Sequence, residues 1–234
     1  MKKIIVAVIV LVFTLGAKAQ EESGLKFSVG ADLVSSYVWR GALGSGASIQ
    51  PSAGLEIGGF SLSAWGSTDI TLGLYKEVDF TAAYSIGGLS LAVTDYWWEG
   101  EGEFKYFNYK KETTDHLWEA TVGYTLPTES FPLSLTVNTF FAGADALKAK
   151  NGKRAYSTYI EANLPFSVKE IGLEAALALT PGESIYASKA SVVNLSLKAG
   201  KEIKITDSFS MPVFGQIIVN PRSEGIFFVF GVSL

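Results

Sequence analysis

The chain has 234 residues, 48% of them hydrophobic and 13% aromatic, with 19 basic residues, 23 acidic residues and no cysteine. The lack of cysteine excludes a disulfide framework and a lipoprotein. The formal charge of −4 argues against a nucleic-acid partner, which would need a basic patch. No Pro/Gly/Ser-rich linker divides the sequence, so we expect one domain.

Residues 1–19 have the features of a cleaved secretory signal peptide. Lys2 and Lys3 precede the apolar run Ile4–Leu15, and Ala17-Lys18-Ala19 fits the small-x-small cleavage pattern. The run is too short to span a bilayer as a helix, which needs about 20 residues. Residues 20–234 then form the mature domain, with 16 basic residues after the three lysines are lost. They contain no apolar run of helical spanning length, so an apolar exported chain of this kind fits a closed membrane barrel.

Strict alternation of apolar and polar residues predicts 12 β-strands. The first begins at Leu25 and continues through Tyr37 and Trp39, with an apolar face on odd positions and a polar face on even ones. The others are Ile49–Ile57, Phe60–Ala64, Val78–Tyr84, Leu89–Trp97, Trp118–Tyr124, Leu133–Phe141, Tyr156–Leu164, Ile171–Leu179, Val193–Ile203, Met211–Val219 and Ile226–Leu234. The expected fold is all-β, a closed antiparallel up-and-down transmembrane barrel of about 12 strands.

The predicted connections alternate between short and long. The short ones are Gly58-Gly59, Gly87-Gly88, Pro127–Pro132, Pro165–Glu170 and the stretch around Thr206-Asp207. The longer ones are Gly41–Gly46, Ser67–Leu74, Trp98–Asp115, Gly143–Arg154 and Thr180–Ala190, with the modest Asn220–Gly225 as an exception. This asymmetry is typical of outer-membrane barrels of Gram-negative bacteria, with turns in the periplasm and loops outside. A soluble secreted β-sandwich, the alternative fold, has no physical reason for it.

Aromatic residues near the predicted strand ends suggest membrane-interface girdles. The candidates on the apolar face are Tyr37, Trp39, Tyr84, Trp97, Trp118, Tyr124, Phe141 and Tyr156. Residues 226–234 alternate up to Leu234, as in the terminal strand that the outer-membrane insertion machinery recognises. We therefore expect the lipid bilayer and this machinery as partners, although Leu234 stands where an aromatic residue is preferred.

Several short segments resemble a known family. They are Ser36-Tyr37-Val38-Trp39-Arg40-Gly41, Gln50-Pro51, Ala64-Trp65-Gly66-Ser67 and Glu77-Val78-Asp79. They are similar to the TorF-type porins, small outer-membrane proteins with an S-x-Y-x-x-R-G opening and a W-G-S after the second hairpin. The resemblance covers residues 33–98 and implies an outer-membrane barrel with a pore. It implies no particular solute.

The polar face of the predicted strands is mainly acidic. Its charged candidates for lining the lumen are Asp32, Arg40, Glu56, Glu77, Asp79, Glu119, Glu161, Glu174 and Lys198. This excess of carboxylates predicts a negative potential and a weak preference for cations in a channel for small hydrophilic solutes. The alternative is a non-conducting structural or ligand-binding barrel in which these groups pair with one another. Arg40 is expected either to pair with Glu77 or Asp79 or to bind solute.

The residue types argue against an enzyme. Outer-membrane lipid-modifying enzymes use His with Ser, Asp or Glu, and this chain has one histidine, His116, beside Asp115. No G-x-S-x-G elbow is present, and the parity of His116 places it on the apolar face. We assign no catalytic residue, and no metal or other cofactor. The long connection Trp98–Asp115 is expected to constrict the lumen, to cover its mouth, or to be an ordinary surface loop.

Overall fold

The structure is a computed structural model, and it describes residues 24–71, 75–99, 105–110, 113–144, 149, 152–207 and 209–234. The signal peptide expected at residues 1–19 lies outside these ranges. The strands are β1 (Leu25–Val34), β2 (Tyr37–Trp39), β3 (Ala42–Ser45), β4 (Ser48–Ile57), β5 (Phe60–Asp69), β6 (Lys76–Ile86), β7 (Leu89–Glu99), β8 (His116–Thr125), β9 (Ser134–Gly143), β10 (Thr158–Val168), β11 (Ile171–Thr180), β12 (Ser191–Lys204), β13 (Ser210–Asn220) and β14 (Gly225–Ser233). The described residues contain no helix that is long and apolar enough to cross a membrane.

Twelve of these strands form a closed antiparallel barrel. The strands β4 to β14 pair in sequence order, and β1 closes the ring between β4 and β14. The pairing of β1 with β4 extends along the whole of β1, whereas its pairing with β14 covers only Asp32–Val34. Ala31 and Leu234 add two backbone hydrogen bonds to this seam. The predicted fold class and strand number are confirmed.

The two faces of the barrel follow the alternation of the sequence. Outward-facing apolar side chains are widely exposed, as at Phe60, Leu62, Leu135, Phe228 and Phe230. The inward-facing positions of the same strands carry mostly Ser, Thr, Gly, Asn and charged residues. Successive residues of a strand point to opposite faces, so each strand places one set inside and the other outside.

The two ends of the barrel differ as the sequence predicts. At one end, strands are joined by residues 58–59, 87–88, 126–133, 169–170 and 205–209, and we call this the short-turn end. At the other, the long-loop end, the connections between strands are longer, and their described residues are 35–47, 70–71, 75, 105–110, 113–115, 144, 149, 152–157, 181–190 and 221–224. The start of β1 and the end of β14 both lie at the short-turn end, because the barrel strands are even in number.

The chain leaves the barrel wall earlier than the alternation suggests. The first strand ends at Val34, and a bend at Ser35-Ser36 leads into a separate hairpin, β2–β3, rather than an extension of β1 followed by a loop. Ser35 ties the bend to β14, since its backbone N–H donates to the Phe230 carbonyl and its Oγ accepts from the Phe230 N–H. The bend resets the parity, so the alternation of β1 no longer decides which way the next side chains point.

Candidate functional site in the barrel interior

The β2–β3 hairpin folds into the barrel at the long-loop end. Trp39 contacts the rings of Tyr96 and Phe140, on the inner faces of β7 and β9, at centroid distances of 5.8 and 6.5 Å. Tyr37 lies 5.4 Å from the ring of Trp65 on β5. The prediction that Tyr37 and Trp39 belong to an outer girdle is therefore wrong. Their aromatic rings fill the lumen instead.

The tip of the hairpin requires a left-handed backbone. Trp39 pairs with Ala42, and the two residues between them, Arg40 and Gly41, have φ values of 49° and 78°. Two positive φ angles in a two-residue turn are typical of type I′. A Cβ at Gly41 would lie 2.1 Å from the carbonyl oxygen of Val193, so no other residue fits there. The Gly41 carbonyl accepts a hydrogen bond from Asn220 Nδ2 at 3.0 Å, which fixes the tip to β13.

Arg40 forms a buried, bidentate ion pair with Glu119. Its two terminal nitrogens donate to the two carboxylate oxygens at 2.6 and 2.7 Å. The side chains are only 10% and 1% exposed. The guanidinium also donates to the Tyr186 hydroxyl and lies 4.4 and 4.6 Å from the ring centroids of Trp39 and Tyr159. The expected pairing of Arg40 with Glu77 or Asp79 is wrong, because the turn carries the side chain across to β8.

Glu77 and Asp79 form a second buried cluster on the inner face of β6. Tyr75 donates to Glu77 at 2.6 Å, and Tyr37 and Asp79 lie within hydrogen-bonding reach of the same carboxylate. Burial, together with the charge of Glu77, raises the pKa of Tyr75 far above its usual range. The Tyr75 phenol therefore stays protonated and remains a donor. The hairpin thus contacts carboxylates on two strands, Glu77 on β6 and Glu119 on β8.

A polar cavity of about 290 Å³ adjoins the hairpin. Its walls are Val38, Trp39, Arg40 and Gly41 of the hairpin and Thr136, Asn138, Tyr159, Glu161, Asn194, Gln216 and Ile218 of the barrel. Glu161 accepts from Tyr159 Oη at 2.6 Å and from Asn194 Nδ2 at 3.4 Å. Ligand pockets commonly measure about 300–1,000 Å³, so this space suits waters or one small polar solute.

The remaining candidates for the lumen also have inward parity. Asp32 lies near the β1–β14 seam, and Glu56 is exposed towards the short-turn end. Glu174 on β11 is directly opposite Lys198 on β12, and the Lys198 ammonium lies 4.1 Å from the ring centroid of Phe214. These four charges are separate from the two clusters at the hairpin. The structure thus divides the nine predicted lumen residues into five at the hairpin and its cavity and four elsewhere on the inner face.

The other girdle candidates lie at both ends of the outer face. Tyr84 and Tyr124 are exposed at the short-turn end. Trp118, Phe141 and Tyr156 lie at the long-loop end, with Phe141 and Tyr156 exposed and Trp118 half-buried. Trp97 has outward parity but is covered by the Tyr106 ring at 5.7 Å. Their role at a membrane interface stays a prediction.

The described part of the loop between β7 and β8 packs on the outer wall. Tyr106 contacts the outward-facing Phe80 at 5.9 Å, and Tyr109 stacks on His116 at 4.1 Å. The fully buried His116 bonds Asp95 through Nδ1 at 2.7 Å and the Tyr106 carbonyl through Nε2. His116 therefore has the predicted outward parity, but its partner is Asp95 rather than the adjacent Asp115. With both ring nitrogens bound, the imidazole holds this loop against the wall.

Several residues of the interior site were not predicted. Tyr186 comes from the loop between β11 and β12, where no pattern indicated its position. Tyr96, Phe140 and Tyr159 have inward parity, and large aromatic residues on an otherwise small, polar face are a sign of internal packing. Phe140 is fully buried because it continues the regular inward alternation of β9 and packs against the rings of Trp39 and Tyr96. A β-bulge follows it, where the pairing of β8 with β9 skips Phe141.

Known proteins resemble this chain only distantly. No family model and no curated protein matches the chain. Among solved structures, a Rh. blastica porin mutant aligns with 11% identity and a TM-score of 0.39, covering 80% of this chain and 55% of that one. The chain thus spans about half the length of that porin. A second mutant of the porin aligns with 13% identity and a TM-score of 0.41, covering 90% of this chain and 73% of that one. A double mutant of OccD1 (OprD) aligns with 12% identity and a TM-score of 0.39, covering 92% of this chain and 66% of that one. All three TM-scores lie below 0.5, so these alignments carry no conclusion about this chain.

Proposed function

We propose that the protein is an outer-membrane barrel that passes small hydrophilic solutes, with a preference for cations, through a lumen constricted by the β2–β3 hairpin. The proposed location is supported by the outer face, where apolar side chains surround a closed ring of paired strands. A closed barrel satisfies every backbone group without water, which is the condition for crossing a bilayer with strands. The resemblance of residues 33–98 to TorF-type porins is consistent with this assignment.

The observation that carries the proposal is the charge around the constriction. Four carboxylates, Glu77, Asp79, Glu119 and Glu161, line the interior at the hairpin, and the guanidinium of Arg40 is paired with one of them. Fixed negative charge in a narrow, low-dielectric passage attracts cations and repels anions. The cavity beside the hairpin supports a path for a small polar solute along the wall formed by β9, β10, β12 and β13.

A second candidate function is a non-conducting barrel. It is favoured by the dense packing of the hairpin, where Phe140 is fully buried and Glu119 is 1% exposed. Side chains fill barrels of about 8 strands, and barrels of about 16–18 strands hold an aqueous channel. A twelve-strand barrel lies between these sizes, so the hairpin decides which behaviour it has.

Planar-bilayer recording of the refolded protein tests the proposal. We expect the wild-type protein to conduct, with a cation-selective reversal potential in a salt gradient. The variant with Glu77→Gln and Asp79→Asn keeps side-chain size and removes two carboxylates, so its reversal potential should shift towards anions. The shift should be larger at low salt, because the Debye length is about 30 Å at 0.01 M.

The matched control removes two carboxylates outside the lumen. Glu170 and Asp207 lie in turns of the short-turn end, where they pair with Lys201 and Lys204 and are largely exposed. Glu170→Gln with Asp207→Asn should leave the reversal potential unchanged. Equal shifts in both double variants would contradict selectivity by the constriction. A wild-type protein without conductance would instead support the non-conducting barrel.

A further inference from the structure

Two buried oxygen atoms beside the hairpin have no hydrogen-bond partner. They are Asp79 Oδ1 and Ser67 Oγ, in residues that are 8% and 4% exposed. Buried polar atoms are nearly always paired, because an unsatisfied one has lost its hydrogen bonds to water without gaining a replacement. Two such atoms on the same part of the inner wall indicate that a further group belongs between them.

Ser67, Glu77 and Asp79 share one patch of the wall. Ser67 on β5 is directly opposite Glu77 on β6, and Asp79 follows Glu77 by two residues. Residues two apart point to the same face, and directly opposite residues have Cβ atoms about 4.5–5.5 Å apart. The three side chains therefore converge from two adjacent strands, with the hydroxyls of Tyr37 and Tyr75 beside Glu77.

In the part of the chain that the structure describes, no contact joins the acidic groups of this patch to a base. The described contacts of Glu77 and Asp79 are with the two phenols, the Trp97 backbone and each other. None of these brings positive charge, and the guanidinium of Arg40 is taken by Glu119 in a bidentate pair. Buried carboxylates need a cationic partner, a proton or a metal ion to offset the loss of water.

We propose that Glu77, Asp79 and Ser67 bind a hard divalent cation of the Ca²⁺ class at the constriction. Such ions take six to eight oxygen ligands, and carboxylates with hydroxyl and water oxygens are the ligands they prefer. The two carboxylates would neutralise the ion, and Ser67 Oγ would complete the protein side of its shell. The inference rests on the proposed function in one respect, since a cation reaches this patch through the lumen.

Luminescence of Tb³⁺, a Ca²⁺ analogue, tests the site without measuring conductance. Trp65 on β5 is opposite Asp79, and the Tyr37 ring lies 5.4 Å from that indole, so bound Tb³⁺ should be excited through these rings. For the refolded full chain in detergent, we expect sensitised emission that Ca²⁺ displaces. Half-displacement should fall at about 10⁻⁴–10⁻³ M Ca²⁺, the range of extracellular calcium modules.

Matched variants show whether Tb³⁺ binds at these three residues. Glu77→Gln with Asp79→Asn should lose most of the emission, Ser67→Ala should require more Tb³⁺ for half-saturation, and Glu170→Gln with Asp207→Asn should behave as the wild type. A heat-dependent gel shift confirms that each variant is folded before the titration. Wild-type emission that persists in the folded acid-pair variant would overturn the site. So would a folded wild type that gives no emission, because a proton shared by the two carboxyls would then balance the charge.

The Tb³⁺ measurement tests the cation site, and the conductance measurement tests the proposed function, so the two can fail independently. A barrel that binds Tb³⁺ at these residues but does not conduct would support the cation site and overturn the channel. A barrel that conducts with a cation preference but gives no Tb³⁺ emission would support the channel and overturn the site.

Discussion

At the scale of single residues, the interior depends on Arg40. Its side chain crosses the lumen from a two-residue turn, pairs with Glu119, donates to Tyr186 and lies against the rings of Trp39 and Tyr159. Because the pair is desolvated, its loss would leave a carboxylate buried without compensation. The hairpin is thus held in the barrel by a contact between residues 79 positions apart in sequence.

Replacing Arg40 alone should lower the stability of the barrel strongly. Replacing both Arg40 and Glu119 should lower it much less. We expect Arg40→Met to lower the free energy of unfolding by roughly 3–5 kcal/mol, because Glu119 stays buried without its counter-charge. The double variant Arg40→Met with Glu119→Leu should recover most of that loss. Urea unfolding of the refolded barrel, followed by tryptophan fluorescence, measures both. A single variant as stable as the wild type would show that the ion pair does not anchor the hairpin.

At the scale of the strands, alternation decides which residues face out and irregularities decide what fills the lumen. The regular middle of each strand obeys the period of two. Near the long-loop end, a bend follows β1 and the pairings of β8 with β9 and of β11 with β12 each shift register. The bend after β1 places Tyr37 inside, and the shift between β11 and β12 places Val193 inside, where each is buried.

An arginine on the outer face of a strand should destabilise the barrel much more than an arginine on the inner face. Ala82, in the middle of β6, points outward between Leu62 and Val93, and Ser52 on β4 points inward, opposite Trp65. In a bilayer, Ala82→Arg should cost roughly 2–4 kcal/mol, since a charge near the membrane centre is poorly solvated. Ser52→Arg should cost much less, because its charge enters a polar lumen. Folding yield in lipid vesicles across a urea series measures both costs, and equal costs would contradict the assigned faces.

At the scale of the whole molecule, the barrel has one narrow seam. The strands β1 and β14 share the pairs from Asp32 to Val34, whereas neighbouring strands elsewhere pair over most of their length. Closure nevertheless leaves no strand edge open among the twelve. A closed ring of hydrogen bonds has no edge at which detergent can begin to separate the strands.

Closure should make the protein heat-modifiable. We expect an unboiled sample in dodecyl sulfate to remain folded and to migrate differently from a boiled one on a gel, because the ring opens only after a large activation barrier is crossed. A sample boiled and then cooled in the same detergent should keep the mobility of the unfolded chain. Identical migration before and after boiling, with recovery in a soluble fraction, would contradict a membrane barrel.

The sequence by itself determined the barrel, the twelve strands, the two kinds of connection and the parity of residues such as Glu77, Asp79 and His116. These features follow from local patterns, because a strand exposes alternate residues to two different environments along its length. Only the tertiary structure decided that residues 37–45 fold inward, that Arg40 pairs with Glu119 and that Tyr186 joins them. Such contacts join residues far apart in the chain after a bend has reset the alternation, so no periodic signal in the sequence specifies them.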